Sequence, residues 1–182
     1  MKEDKFILST QQPFEILANF KDVFAEFGFP FQEHADEKLL WIGTGFQYPH
    51  HGNLKAILEA AVDLYCEAVQ VSLNFYDPIP EGKMPQVNRL MGILNDWSIT
   101  GHLCTYTSQK QLCYLSGILI RDSQFNKDEF KKVLQVALGN GPEFFSLIKK
   151  VIDTGEDPDP LLDKLFAKMF GSRLMGGKEK RK

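Results

Sequence analysis

Four histidines and three cysteines carry the most specialised chemistry in this 182-residue chain: His34, His50, His51 and His102, with Cys66, Cys104 and Cys113. His50 and His51 sit in a Pro/Gly turn. Adjacent residues lack the i, i+4 geometry with which a helix presents two imidazoles to zinc, and no third ligand stands nearby. A solvated turn is the better reading. His102 and Cys104 are two apart on a predicted strand and so share a face. Side chains in that relation are about 7 Å apart, too far for the hydrogen bond that activates a nucleophile. Cys104 and Cys113 fall on the two arms of a predicted hairpin, and its register decides whether they share a face. The three cysteines form an odd set without CxxC spacing, so reduced thiols are expected. Asp153, Glu156, Asp157, Asp159 and Asp163 lack the ligand order and central glycine of a calcium loop, and read as a solvated linker with two helix ends. No GxSxG, P-loop or GxGxxG occurs, and Gly43-x-Gly45 reads as a bulge or close backbone contact within a strand. No catalytic residue, metal site or cofactor is expected.

Composition sets the class. Hydrophobic residues at 43% and charged residues at 25% are ordinary for a globular protein. No apolar run is long enough to span a bilayer and no signal-peptide core is present, so a cytoplasmic protein is expected. The net charge of −3 is unevenly placed. From residue 171 onward Arg173, Lys178, Lys180, Arg181 and Lys182 stand against Glu179, a net of +4 that leaves −7 on the rest. An acidic body argues against a nucleic-acid groove, which needs a basic face.

The elements that would position these residues follow from periodicity. Residues 1–9 hold a possible short strand. From about Thr10 a helix carries Phe14, Leu17, Phe20, Phe24 and Phe27 in one stripe, widened by Ile16 and Val23. That aromatic face either packs on a sheet or covers a partner or second copy. Lys38 to Tyr48 reads as a strand. Residues 54–65 are ambiguous: propensity favours helix, whereas strand alternation puts Leu54, Ala56, Leu58, Ala60, Val62 and Leu64 on one face. Val69, Val71, Leu73 and Phe75 alternate with polar residues as a further strand. Val87, Leu90, Met91, Leu94 and Trp97 stripe a helix begun at Pro85. Two strands then flank Ser108-Gln109-Lys110. After Arg121-Asp122-Ser123, Asn126 caps a helix with Glu129 as its capping-box partner. Gly139-Asn140-Gly141-Pro142 is expected to end that helix and Pro142 to begin another, closing at Thr154-Gly155. After the acidic linker, a last helix capped by Asp159 and begun by Pro160 carries Leu161, Leu162, Leu165, Phe166, Met169 and Phe170, and stops at Gly171. A basic tail follows, with disorder expected of it.

VNRLMGILNDW, the strand pair ending YLSGILIRD, and DEFKKVLQVALGNGPEFFSLIKKVIDTG together resemble the C-terminal half of the bacterial YbjN family, which shares the fold of type III secretion chaperones. The matched positions include Asn88, Arg89 and Trp97. The resemblance implies that residues 54–65 are strand, since that fold places three strands between its first two helices. It implies an α+β domain over residues 1–155, with an antiparallel sheet of about five strands and helices on one face, in the order α-β-β-β-α-β-β-α. An acidic linker and C-terminal helix over 156–171 and a basic tail over 172–182 complete the chain. It also implies a non-catalytic protein-binding module, a chaperone-like adaptor or regulator, homodimeric and bacterial, with an unidentified protein partner. The expected contact residues are Phe14, Phe20, Phe24, Phe27, Phe166 and Phe170, together with the sheet edges. Two alternatives stand beside this: a carrier of a small apolar ligand, and a metal-dependent enzyme using histidine and cysteine. A weaker reading lays the C-terminal helix and basic tail on an anionic membrane.

Overall fold

The computed structural model describes residues 12–35, 40–63, 68–98, 100–106, 110–120 and 125–175, without the side chains of Gln12, Trp97 and residues 168–175. The possible N-terminal strand, Cys66, Ser108-Gln109, Arg121-Asp122-Ser123 and the tail from residue 176 fall outside the described residues. The elements run α1 (Gln12–Glu26), β1 (Gln32–Ala35), β2 (Leu40–Tyr48), β3 (Leu54–Asp63), β4 (Ala68–Pro78), α2 (Met84–Trp97), β5 (His102–Tyr106), β6 (Gln111–Leu119), α3 (Lys127–Thr154) and α4 (Pro158–Met175). Short 3-10 turns at Pro49–His51 and Glu81–Lys83 lie between β2 and β3 and before α2.

All six strands form one antiparallel sheet in the order β1-β2-β3-β4-β6-β5. The expected α+β architecture is therefore present with one strand more than anticipated. The additional strand is β1, whose Gln-Glu-His-Ala is exposed throughout and offers no apolar alternation to read. Residues 54–63 are strand: Leu54, Ala56, Leu58, Ala60 and Val62 are all buried with period two, and β3 lies between β2 and β4. Neighbouring strands on both sides override its helical propensity.

Strand alternation divides the sheet into two faces. Leu40 and Ile42 of β2, Leu58 and Ala60 of β3, Val71 and Leu73 of β4, and Leu112 and Tyr114 of β6 join the buried side chains of all four helices in one core. Phe20 of α1 stacks on Phe130 of α3 with ring centroids 4.6 Å apart, and Phe145 of α3 meets Phe75 of β4 at 5.4 Å. Leu161, Leu162 and Leu165 of α4 belong to that same core. Arg89 of α2 holds Asp159 of α4 through two 3.0 Å hydrogen bonds. The pair is exposed, so it adds little stability.

Two helix boundaries differ from expectation. Gly141-Pro142 does not break a helix: α3 runs unbroken from Lys127 to Thr154 with Pro142 inside it. Pro142 has no N–H, so the Leu138 carbonyl lacks its usual partner four residues on. Gly141 and Pro142 are both buried against the sheet, and tertiary packing holds the helix through the weak point. A Cβ built on Gly141 would lie 2.5 Å from Leu73 Cδ2, so the missing side chain is what lets α3 approach β4. The expected cap is present, as Asn126 Oδ1 accepts from the backbone N–H groups of Asp128 at 3.1 Å and Glu129 at 3.0 Å. Gly155, at φ +69°, closes the helix in the left-handed region. The last helix starts at Pro158 rather than Pro160 and continues past Gly171. Asp157 accepts from the Asp159 N–H at 3.1 Å, taking the capping role expected of Asp159, whose carboxylate turns to Arg89 instead.

Candidate functional site

The sheet face opposite the helices is the candidate site. In-register pairing lines up Ile57 with Asn74, Asn74 with Cys113, and Cys113 with Cys104, so one row of side chains crosses β3, β4, β6 and β5 on that face. The next row pairs Glu59 with Ser72 and Ser72 with Leu115. Asn74 Nδ2 donates to Glu59 Oε2 at 2.6 Å and to Ser72 Oγ at 3.2 Å. Its Oδ1 is buried without a hydrogen-bond partner. Large apolar groups lie farther along the sheet. Leu119 is 64% exposed and Tyr76 is 57% exposed, while Tyr106 and Phe31 are also exposed. A cleft of about 640 Å³ lies between Phe31, Trp41, Gly43, Ile57, Glu59 and Tyr76. The Trp41 ring lies across Gly43, where a Cβ would meet Trp41 Cζ3 at 2.9 Å.

The register answers the question left open for the thiols. Cys104 and Cys113 are direct cross-strand partners on this face, both free. Cys113 is fully buried and Cys104 half-buried. The Cys113 thiol opposite holds Cys104 down at about 7, against an opposing effect of burial. The neighbouring Cys104 and burial push Cys113 up. Tyr106 Oη lies 3.9 Å from Cys113 Sγ, and burial, followed by the thiols, raises the phenol to about 12.

One position on the edge beside the thiols is capped by a side chain. Asn95 of α2 donates from Nδ2 to the Leu103 carbonyl at 2.9 Å, and Leu103 N–H donates to Asn95 Oδ1 at 2.6 Å. Both backbone groups of Leu103 therefore point away from β6.

Two solved structures are similar to the chain. The crystal structure of the ExsC–ExsE complex matches with a TM-score of 0.48 at 14% identity, over 79% of this chain and 98% of that one. The crystal structure of YbjN from E. coli matches with a TM-score of 0.44 at 16% identity, over 72% of this chain and 86% of that one. No family model matches the sequence, and no curated protein sequence matches it.

The sequence-predicted residues are scattered by the fold. Phe20 and Phe24 are 0% exposed and belong to the core, so their side chains cannot meet a partner without unfolding α1. Spacing alone did not tell a core-facing stripe from an outward one. Phe27 is half-buried against the core and Phe14 is 54% exposed. Phe166 is half-buried beside the core, and the side chains of Phe170 and Trp97 lie outside the described residues. Asn88 and Arg89 are exposed on α2, away from the open face. His50 and His51 lie in the 3-10 turn after β2, and no group of three or more metal-ligating side chains assembles among the described residues. No described helix is long and apolar enough to cross a membrane. Sequence reading did not find the Glu59–Asn74–Ser72 centre, because its three members lie on two strands whose pairing no local pattern specifies.

Proposed function

We propose that the chain is a non-catalytic protein-binding module, a chaperone-like adaptor or regulator, whose docking surface is the open face of the sheet. One observation carries the reading: this face presents Tyr76, Leu119 and Tyr106 to solvent along with the half-buried Glu59–Asn74 pair. Apolar groups of that size grouped on one surface are the usual mark of a protein contact. A second copy of the chain is the first partner to test, and the contact residues move from Phe20 and Phe24 to this face. Phe14, exposed at the start of α1, remains a separate candidate contact.

Light scattering behind size exclusion, over a range of concentrations, is the experiment. The full chain should run as a dimer, and Tyr76→Glu with Leu119→Glu should run as a monomer with an unchanged far-UV spectrum. Phe20→Glu should instead lose its fold, because it buries a carboxylate in the core. A dimer that survives the Tyr76/Leu119 double change moves the interface elsewhere, and a wild-type monomer at every concentration removes the self-association reading. A second reading, a carrier of a small apolar ligand, is favoured by the cleft between Phe31, Trp41, Ile57 and Tyr76. Native mass spectrometry of the purified chain distinguishes it through a bound small molecule.

A further inference from the structure

We infer that Cys104 and Cys113 form a thiol pair that a small-molecule disulfide converts reversibly into a cross-strand disulfide on the open face of the sheet. The geometry comes from the backbone. Residues opposite each other in an antiparallel pair alternate between those that exchange two hydrogen bonds and those that exchange none. Leu103 gives both of its backbone groups to Asn95, so Leu103 and Tyr114 are a pair that exchanges none. Cys104 and Cys113, one step along, are therefore a hydrogen-bonded pair, whose Cα atoms lie about 5.5 Å apart. Disulfides span Cα separations of roughly 4.4–6.8 Å but need Cβ atoms about 3.5–4.5 Å apart, closer than the roughly 5.5 Å of a hydrogen-bonded pair, so the bridge closes under strain and is readily reduced.

The two thiols have different parts in the reaction. Cys104 is half-buried with the Cys113 thiol directly opposite it, and that neighbour favours its thiolate near neutral pH. Cys113 is fully buried and kept protonated beside Cys104. The Cys104 thiolate attacks one sulfur of the incoming disulfide, forms a mixed disulfide and expels one thiolate. That thiolate takes the Cys113 proton, and Cys113 sulfur attacks Cys104 sulfur and expels the second thiolate. The protein dithiol is oxidised by two electrons and the small disulfide is reduced to two thiols. Tyr106, with its hydroxyl 3.9 Å from Cys113, and Glu59, two strands away on the same face, are the other titratable groups that act on the pair. The bridge would sit within the proposed docking face, yet its formation does not depend on that reading.

The test uses oxidised glutathione on the full chain carrying Cys66→Ser, so that only Cys104 and Cys113 report. Both thiols should disappear from a thiol titration, and the intact mass should fall by two hydrogens. A non-reduced digest should join the peptides of Cys104 and Cys113, and dithiothreitol should restore both thiols. Cys113→Ser should stop at a glutathione adduct on Cys104, and Cys104→Ser should leave Cys113 at least about tenfold slower to react than Cys104 in the unsubstituted pair, since only the exposed thiolate attacks. Two thiols that persist in excess oxidant would overturn the inference. So would a stable glutathione adduct on Cys104 with Cys113 still free, or faster reaction at Cys113 than at Cys104.

Discussion

Gly139 and Gly141 lie two residues apart in α3 and should respond oppositely to the same substitution. Each gains about 0.8–1.0 kcal/mol of helix propensity when changed to alanine. At Gly139 the new Cβ meets nothing within 4 Å, so Gly139→Ala should stabilise the fold by that amount. At Gly141 it would stand 2.5 Å from Cδ2 of Leu73, a fully buried side chain on β4. Overpacking of a filled core costs about 1–3 kcal/mol, so Gly141→Ala should be net destabilising by up to about 2 kcal/mol. The two variants should differ by about 1–3 kcal/mol, the overpacking cost itself, since the helix gain cancels between them. For a chain of this size each kcal/mol moves the melting temperature by about 2–4 °C, well within reach of thermal and urea unfolding followed by circular dichroism. Adding Leu73→Ala supplies an internal control. It removes the obstructing methyl, so Gly141→Ala in that background should recover the gain seen at Gly139. If Gly141→Ala stabilises the wild-type chain as much as Gly139→Ala, the close approach of α3 to β4 is wrong.

Asn126→Ala removes the acceptor for two backbone N–H groups and should cost about 1 kcal/mol, visible as a lower urea midpoint with an unchanged slope. Asn126→Asp should largely preserve stability; equal losses in both variants would place the effect outside the cap. Tyr48 Oη is buried without a hydrogen-bond partner, and burial raises the phenol to about 12. The unfolded chain releases this proton near pH 10, while the folded chain keeps it, so stability is complete below pH 10 and falls between 10 and 12. Tyr48→Phe should be neutral or slightly stabilising at pH 8 and should gain on wild type by at most about 2 kcal/mol at pH 11. A wild-type-to-variant gap that stays constant between those pH values would show that the hydroxyl is not desolvated.

The order of elements was legible wherever one face of an element is buried. Leu54 to Val62 illustrate how: period-two burial is written plainly in the sequence, and only the competing helix propensity obscured it. β1 escaped because a four-residue, fully exposed strand leaves no hydrophobic trace; it exists through pairing with β2. Gly141-Pro142 misled for a different reason. Locally the dipeptide is a helix breaker, but a 28-residue helix packed along a sheet tolerates one missing hydrogen bond when a glycine permits the contact. The candidate site was less legible than the fold. Cys104 and Cys113 were visible as residues, yet their meeting depends on a register set by the hairpin as a whole. Asn74 gave no signal at all, since its meaning comes from Glu59 on the neighbouring strand.

Asn95 has a consequence for how the sheet can grow. Its amide offers Leu103 one donor and one acceptor, as a peptide group of a seventh strand would. At Leu103 the β5 rim is thus occupied by an impostor of fixed length, which an incoming strand would have to displace before it could pair there.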